Sequence, residues 1–158
     1  MENGLIVVKP EAYLVKDLVA KDVEDYGLSI DRRIKQKWTR EKIRQTYPKK
    51  NFPNWPMAEF MDNIIFGKAG YEPWIEAMIV SSEKDTVKKV KKLVGPLDAS
   101  YAQRPEDSGT LRYKYGIKER RIMIIDGKPY YFYFNGVHSS TKEDLEREIK
   151  IYTQDITV

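Results

Sequence analysis

The fold of this chain can be worked outward from one stretch near its start, Leu5-Ile6-Val7-Val8-Lys9-Pro10-Glu11-Ala12. Leu5–Val8 is an uninterrupted apolar run rich in β-branched residues, and such a run predicts a strand that is buried on both faces. Pro10 has no N–H to give to a sheet, so the strand should end beside it. Lys9 is then either an ordinary charged strand end or a cation directed into a cleft, where it would contact a phosphate or a hydroxyl group.

Periodicity predicts the elements that follow. Helical spacing of apolar residues predicts helices over 11–25, 39–47, from Pro56 to Gly67, over 83–94, and a last one that a capping box at 140–143 would open. Strands are predicted over 28–38, 74–80, 122–125 and 128–134, and an Asp126-Gly127 turn joins the last two into a hairpin. The order β-α-β-(α-α)-β-α-β-β-α predicts an α+β, ferredoxin-like βαββαβ sandwich. Its antiparallel sheet would be covered by helices, with an extra β-hairpin strand before the C-terminal helix.

Composition limits the class of protein. The 158 residues are 41% hydrophobic and 33% charged, which predicts a single globular domain over 1–158. The sequence contains no apolar run of the roughly 20 residues that a membrane helix needs, and its start does not resemble a signal peptide. It contains no cysteine, which excludes disulfides and thiolate chemistry, and a cytoplasmic location is expected. The net charge of +4 permits an anionic partner without naming one.

His138 is the only histidine of the chain, and it stands at the end of the last predicted strand, before the final helix. A strand end at a sheet edge projects its side chain into a crevice, and a neutral imidazole can act as a nucleophile without a separate base. The alternative is that a lone histidine is structural or merely exposed. Glu148 lies on the final helix and could accept a hydrogen bond from one imidazole nitrogen. From spacing alone, a solvated helix residue is the better interpretation of Glu148.

Other candidate residues have the chemistry of phosphate or base binding. Arg112, in Gly109-Thr110-Leu111-Arg112, offers a bidentate fork for phosphate oxygens. The aromatic run 130–134 either stacks on bases or, as is more common, packs within a strand. No Gly-x-x-x-x-Gly-Lys-Ser/Thr or Gly-x-Gly-x-x-Gly motif is present, so neither a P-loop nor a dinucleotide fold is predicted. One histidine without cysteine argues against a zinc site.

Four segments, in order along the chain, resemble segments of the nucleoside diphosphate kinase family. They are 5–12, ending in a Lys-Pro-Glu-Ala similar to the family's Lys-Pro-Asp-Ala; 87–95, similar to the helix before the nucleotide-binding loop; 109–116, similar to Gly-Thr-Ile-Arg-Gly-Asp-Phe-Gly; and 135–149, similar to Asn-x-x-His-Gly-Ser followed by Glu-Arg-Glu-Ile. Each motif alone is weak, but four in order form a strong resemblance. The resemblance implies transfer of the terminal phosphate of a nucleoside triphosphate to a nucleoside diphosphate through a phosphohistidine, in two in-line steps with Mg²⁺.

The resemblance also implies roles for particular residues. His138 would be the nucleophile and Glu148 its orienting partner. The residues that would contact the nucleotide or lie beside the histidine are Lys9 and Asn135 at the ribose hydroxyl and phosphoryl group, Tyr47 beside His138, Arg112 and Lys91 at the phosphates, and Trp55, or alternatively Phe52 or Phe60, on the base. The Mg²⁺ would be held through the nucleotide phosphates rather than by protein ligands. The expected partners are nucleoside di- and triphosphates and further copies of the chain, as a dimer, tetramer or hexamer, and not nucleic acid or membrane.

The chain departs from the family pattern around the phosphates. Lys91 stands where the family usually has arginine, and an ammonium cannot form the same bidentate fork. Leu97 stands where the family usually has a phosphate-binding threonine, and the hairpin over 117–134 is longer than the usual connection. These departures motivate a second hypothesis, in which the chain is a weak or inactive relative that binds nucleotides, nucleic acid or a protein partner.

Overall fold

A computed structural model describes residues 1–66, 71–97 and 104–154 of the chain. Its strands are β1 (Glu2–Val8), β2 (Ser29–Lys37), β3 (Trp74–Ser82), β4 (Arg121–Ile125), β5 (Lys128–Phe132) and β6 (Val137–Ser139). Its α-helices are α1 (Lys16–Asp25), α2 (Arg40–Thr46), α3 (Met57–Phe66), α4 (Thr86–Val94), α5 (Leu111–Tyr115) and α6 (Leu145–Thr153). The predicted end of the third helix at Gly67 lies outside the described residues.

The main sheet has four strands in the order β2-β3-β1-β6, and each neighbouring pair is antiparallel. The predicted ferredoxin-like α+β fold is therefore confirmed. β1 lies inside the sheet, where Leu5 pairs with Ile79 of β3 and Val7 pairs with His138 of β6. β1 pairs with β3 along its whole length from Glu2 to Val8, and its last three residues, Ile6–Val8, also pair with β6.

The sheet has a hydrophobic core on each face, which explains why β1 is apolar without interruption. Leu5 and Val7 face a core that includes Tyr152 of α6. Ile6 and Val8 face a second core built with α1 and α4. All four of these β1 side chains are buried, as the sequence predicts. Burial of this kind stabilises the fold by roughly 1.5–3 kcal/mol for each large aliphatic side chain.

The hairpin β4–β5 forms as predicted, but it is a sheet of its own. Asp126 and Gly127 both have positive φ values, 51° and 77°, as a two-residue turn between strands requires. The expectation that the second hairpin strand leads directly to the histidine is wrong. The chain turns at Gly136, whose φ is 83°, and starts a separate strand, β6, that joins the main sheet.

The first and last helices start later in the chain than predicted. The segment Pro10–Val15 is a 3₁₀-helix, and α1 begins only at Lys16. The final helix begins at Leu145 rather than at a capping box, because Ser140 continues from the strand and is buried. Helix α5 was not predicted from periodicity, since five residues are too few to show it. Among the residues that the structure describes, no helix is long and apolar enough to cross a membrane.

Candidate functional site

His138 lies in the middle of β6, at the edge of the main sheet, and faces α6. Its Nε2 atom forms a hydrogen bond with Oε1 of Glu148. Glu148 is on the first turns of α6 and is buried. A carboxylate at Nε2 favours the tautomer that carries its proton there, which leaves the lone pair on Nδ1. The pairing that spacing alone did not favour is therefore present in the structure.

Tyr47 follows α2 and packs against the imidazole. The centroids of the two rings are 5.1 Å apart, and the rings meet edge to face at 69°. Burial, more than any neighbouring charge, raises the pKa of Tyr47 well above its ordinary value, so the phenol remains neutral at physiological pH. The preceding residue, Thr46, shares a 2.6 Å hydrogen bond with the hydroxyl of Tyr152, which ties α2 to α6. The ring of His138 is thus confined between two elements that are fastened to each other.

Lys9 is a buried cation at the end of β1. Its Nζ lies 3.3 Å from Oε2 of Glu11, and the same carboxylate oxygen accepts a 3.0 Å hydrogen bond from the backbone N–H of Gly136. Burial lowers the pKa of Lys9, the charge of Arg112 lowers it further, and Glu11 acts in the opposite direction. One carboxylate therefore serves both the lysine and the turn that precedes His138.

Arg112 is buried in α5, and its guanidinium binds backbone carbonyls. Nε and Nη2 donate to the carbonyl oxygen of Val137 at 3.2 and 3.1 Å, and Nη1 donates to that of Gly95 at 3.0 Å. Burial lowers the pKa of Arg112 to about 10, so the group is still cationic at neutral pH. These bonds use three of its five N–H donors, and within the described part of the chain its hydrogen-bond partners are neutral carbonyl oxygens. A buried cation with neutral partners favours an anion nearby.

Two buried polar atoms near His138 have no hydrogen-bond partner among the described residues. They are Oδ1 of Asn135 and Oγ of Ser140. The amide nitrogen of Asn135 is held, because it donates a 3.1 Å hydrogen bond to the carbonyl oxygen of Leu97. Unsatisfied buried polar groups are costly and uncommon in folded proteins. Asn135 thus has a side-chain amide that is held in place and an oxygen that no described residue satisfies.

Other predicted site residues lie at the periphery. Lys91 is exposed on α4, and Leu97 is 60% exposed, so neither side chain belongs to the cluster around His138, which consists of Lys9, Glu11, Arg112, Asn135, His138 and Glu148. Phe60 is only 1% exposed and is surrounded by aromatic rings, so a base cannot stack on it in this arrangement. Trp55 is 36% exposed and lines a cavity of about 240 Å³ together with Tyr47.

The part of the chain that the structure describes holds no group of three or more His, Cys, Asp and Glu side chains suited to a metal ion. The two carboxylates of the cluster are already engaged, Glu11 with Lys9 and Glu148 with His138. The cluster is otherwise cationic. This donor set fits a divalent cation only if the cation arrives on the phosphates of a ligand.

Sequence reasoning missed the structural role of Glu11. Its signal was available, since Glu11 stands within the same motif as Lys9 and replaces the family's aspartate there. Sequence reasoning also missed that the guanidinium of Arg112 would donate hydrogen bonds to the backbone carbonyl oxygen of Val137, next to His138. No local sequence pattern predicts that contact, because the carbonyl groups of Val137 and Gly95 belong to other segments of the chain.

The chain matches known proteins over nearly its whole length. Residues 2–157 match the family model for nucleoside diphosphate kinase, and no curated protein sequence gives a significant match. The chain is 22% identical to the solved nucleoside diphosphate kinase of Encephalitozoon cuniculi, with a TM-score of 0.71 over 98% of this chain and 90% of that one. It is 22% identical to the enzyme of Aquifex aeolicus, with a TM-score of 0.67 over 95% and 93% of the two chains. It is 25% identical to the Halobacterium salinarum enzyme, solved in complex with CDP, with a TM-score of 0.66 over 98% and 88%.

The residues that carry the family motifs are brought together in the folded chain. The segments that carry Lys9, Arg112 and His138 come together at one edge of the sheet, although they are far apart in sequence, and Asn135 lies on the same segment as His138. By its sequence and its fold, this chain belongs to the nucleoside diphosphate kinase family.

Proposed function

We propose that this chain transfers the terminal phosphate of a nucleoside triphosphate to a nucleoside diphosphate by way of a phosphohistidine at His138. The observation that carries the proposal is the bond between Nε2 of His138 and the buried carboxylate of Glu148. It holds the imidazole in a fixed orientation with its nucleophilic lone pair on Nδ1. A nucleophile whose second nitrogen is held by an orienting group is the arrangement that covalent catalysis requires.

The reaction proceeds in two steps that balance. In the first, the Nδ1 lone pair of His138 attacks the terminal phosphorus of the donor, and the P–O bond to the departing nucleoside diphosphate breaks with its electron pair leaving on that oxygen. Glu148 stabilises the positive charge that develops on the ring while the Nε2 proton remains in place. In the second step, a terminal phosphate oxygen of the acceptor nucleoside diphosphate attacks the phosphorus, the P–N bond breaks, and the imidazole returns to its starting state.

Charge neutralisation is the other requirement of phosphoryl transfer. Arg112 retains two N–H donors that its backbone bonds do not use, and Lys9 adds a second buried cation. The proposed substrate is a nucleotide carrying Mg²⁺, which neutralises phosphate charge when it is bound. The vacant Oδ1 of Asn135 is suited to accept a hydrogen bond from a ribose hydroxyl.

Tyr47 would fix the histidine ring, and Trp55 would stack on the base. At Lys91 and Leu97, an exposed ammonium and an apolar side chain replace two phosphate ligands that the family usually has. A slower enzyme is therefore expected, and the second hypothesis of a nucleotide-binding relative remains the alternative.

The test combines labelling with discharge. The protein is mixed with Mg²⁺ and ATP, and intact mass at neutral to alkaline pH is used to detect one added phosphoryl group, with His138→Ala as the control. GDP is then added, and formation of GTP is measured. The reaction is established if a phosphoryl group appears on the wild type only, is labile to acid, and is lost from the protein as GTP forms. Nucleotide binding without phosphorylation would instead support the binding relative.

The proposal includes assembly into a homo-oligomer, which the family resemblance implies, and a cytoplasmic location, which is the expectation from composition. Light scattering during size-exclusion chromatography measures the molar mass directly. A dimer, tetramer or hexamer is expected, and a monomer at micromolar concentration would contradict this part of the proposal.

A further inference from the structure

The β4–β5 hairpin packs its inner face against the segment around α3. Tyr130 of β5 meets the ring of Trp55 edge to face, with the centroids 5.3 Å apart at 90°, and meets Phe60 at 5.5 Å and 79°. Phe132 lies 5.2 Å from Phe60. Edge-to-face pairs in this range are worth more than the area they bury alone. The hairpin is thereby connected to one side chain, Trp55, that is still partly exposed.

Trp55 has little local support of its own. It lies in the irregular connection between the 3₁₀ turn Lys49–Asn51 and α3. Its backbone N–H donates to the carbonyl oxygen of Phe52 at 3.2 Å, and its own carbonyl oxygen accepts from the N–H of Met57 at 2.9 Å. These bonds fix the backbone but not the indole. The indole is fixed by two rings, Phe60 at 5.1 Å and Tyr130 at 5.3 Å.

Trp55 also lines a cavity whose wall includes the tyrosine that packs against His138. Trp55, Phe52 and Tyr47 line this cavity of about 240 Å³, and Tyr47 also contacts His138. Its volume lies just below the range of pockets that hold drug-sized ligands, which suits a single nucleobase. Aromatic walls of this kind bind bases by stacking and tolerate different bases.

We propose that Tyr130 is a positioning residue, and that the β4–β5 hairpin holds the indole of Trp55 in place as the wall on which the nucleobase stacks. This inference rests on the proposed nucleotide function. The physical reason is preorganisation: a side chain that is ordered before binding does not lose its rotamer freedom when the base arrives. The hairpin would thus affect the affinity for the base and leave the phosphate end of the site unchanged.

Equilibrium binding separates the two ends of the ligand. Calorimetric titration is carried out with ADP and with ribose 5-diphosphate, which lacks the base, on the wild type, Tyr130→Leu, Trp55→Leu and the double variant. Leucine keeps an apolar side chain at the hairpin, so it disturbs folding less than alanine does. Ile124→Ala, an exposed position on the outer face of the same hairpin, is the matched control.

Tyr130→Leu and Trp55→Leu should each weaken ADP binding about tenfold, within the range expected for one base–aromatic stack. Binding of ribose 5-diphosphate should change by less than about twofold, and the double variant should match Trp55→Leu alone, since Tyr130 acts through Trp55. Ile124→Ala should bind both ligands as the wild type does.

Three results would overturn the inference. They are unchanged ADP affinity in Tyr130→Leu, a parallel loss of ribose 5-diphosphate binding, or losses that multiply in the double variant. Absence of ADP binding by the wild type would overturn it as well. Because ADP binding requires no turnover, failure of His138 phosphorylation would contradict the proposed reaction and still leave the role of Tyr130 measurable.

Discussion

Glu148→Gln is the substitution that tests the proposed chemistry most directly. The carboxylate bonds Nε2 of His138, and a hydrogen bond to a charged acceptor contributes about 1.5–3 kcal/mol. If that interaction supports the developing charge on the ring, its complete loss should slow phosphorylation of His138 by about 10- to 150-fold. Glutamine retains an acceptor oxygen of the same shape, so the expected loss is near tenfold. Glu148→Ala removes the acceptor and should lie near the upper end.

The assay is single-turnover phosphorylation by ATP with Mg²⁺, quenched at alkaline pH and followed by intact mass. Glu146→Gln is the matched control, because Glu146 occupies the same helix with an exposed side chain and forms an ion pair with Lys150 at 3.8 Å rather than a bond to His138. It should phosphorylate at the wild-type rate. Urea denaturation is run in parallel so that a loss of folded protein is not mistaken for a loss of rate.

A Glu148→Gln protein that is folded and phosphorylates as fast as the wild type would refute the reasoning. The carboxylate would then be a structural partner of His138 without influence on its reactivity. A tenfold loss in the Glu146→Gln control would also refute it, since the effect would come from helix charge rather than from the bond to Nε2.

Three further substitutions address the surroundings of His138. Arg112→Lys should lower the free energy of unfolding by about 2 kcal/mol, because an ammonium cannot replace the paired bonds to the carbonyl oxygens of Val137 and Gly95. ADP titration should show weaker binding, and wild-type values in both measurements would contradict the role assigned to the fork. Ser140→Ala should leave stability unchanged or raise it by about 1 kcal/mol in thermal or urea unfolding, since the buried hydroxyl has no partner among the described residues. A clear loss of stability would mean that a partner is present. Leu97→Thr should increase steady-state turnover by about fivefold through one added phosphate donor, while stability changes by less than about 0.5 kcal/mol because the position is exposed. No gain in turnover would show that phosphate binding at this position does not limit the reaction.

Two of the departures from the sequence prediction concern the segment around His138. The strand that carries His138 was placed as a continuation of the hairpin, yet the main sheet recruits Val137–Ser139 as a separate strand. A strand of three residues has too short a pattern to be recognised. The capping-box pattern predicts that the final helix starts at Ser140, but this residue continues from the strand and is buried, and the helix starts at Leu145.

The sequence by itself determined the features that depend on neighbours in the chain. The uninterrupted apolar run of β1, the Asp126-Gly127 turn and the identity of the single histidine all follow from residue type and local spacing. The motif order also identified the family, because each motif is a short run of residues that can be recognised without coordinates.

Only the tertiary structure decided how the candidate site is arranged. It set Oε1 of Glu148 against Nε2 of His138, closed the Arg112 fork on Val137, and set Tyr130 against Trp55. Each of these contacts joins segments that lie apart in sequence, and each depends on the packing of whole elements on the sheet. Local propensity carries no information about which distant groups will meet, because that is decided by the joint burial of apolar surface and the pairing of strands.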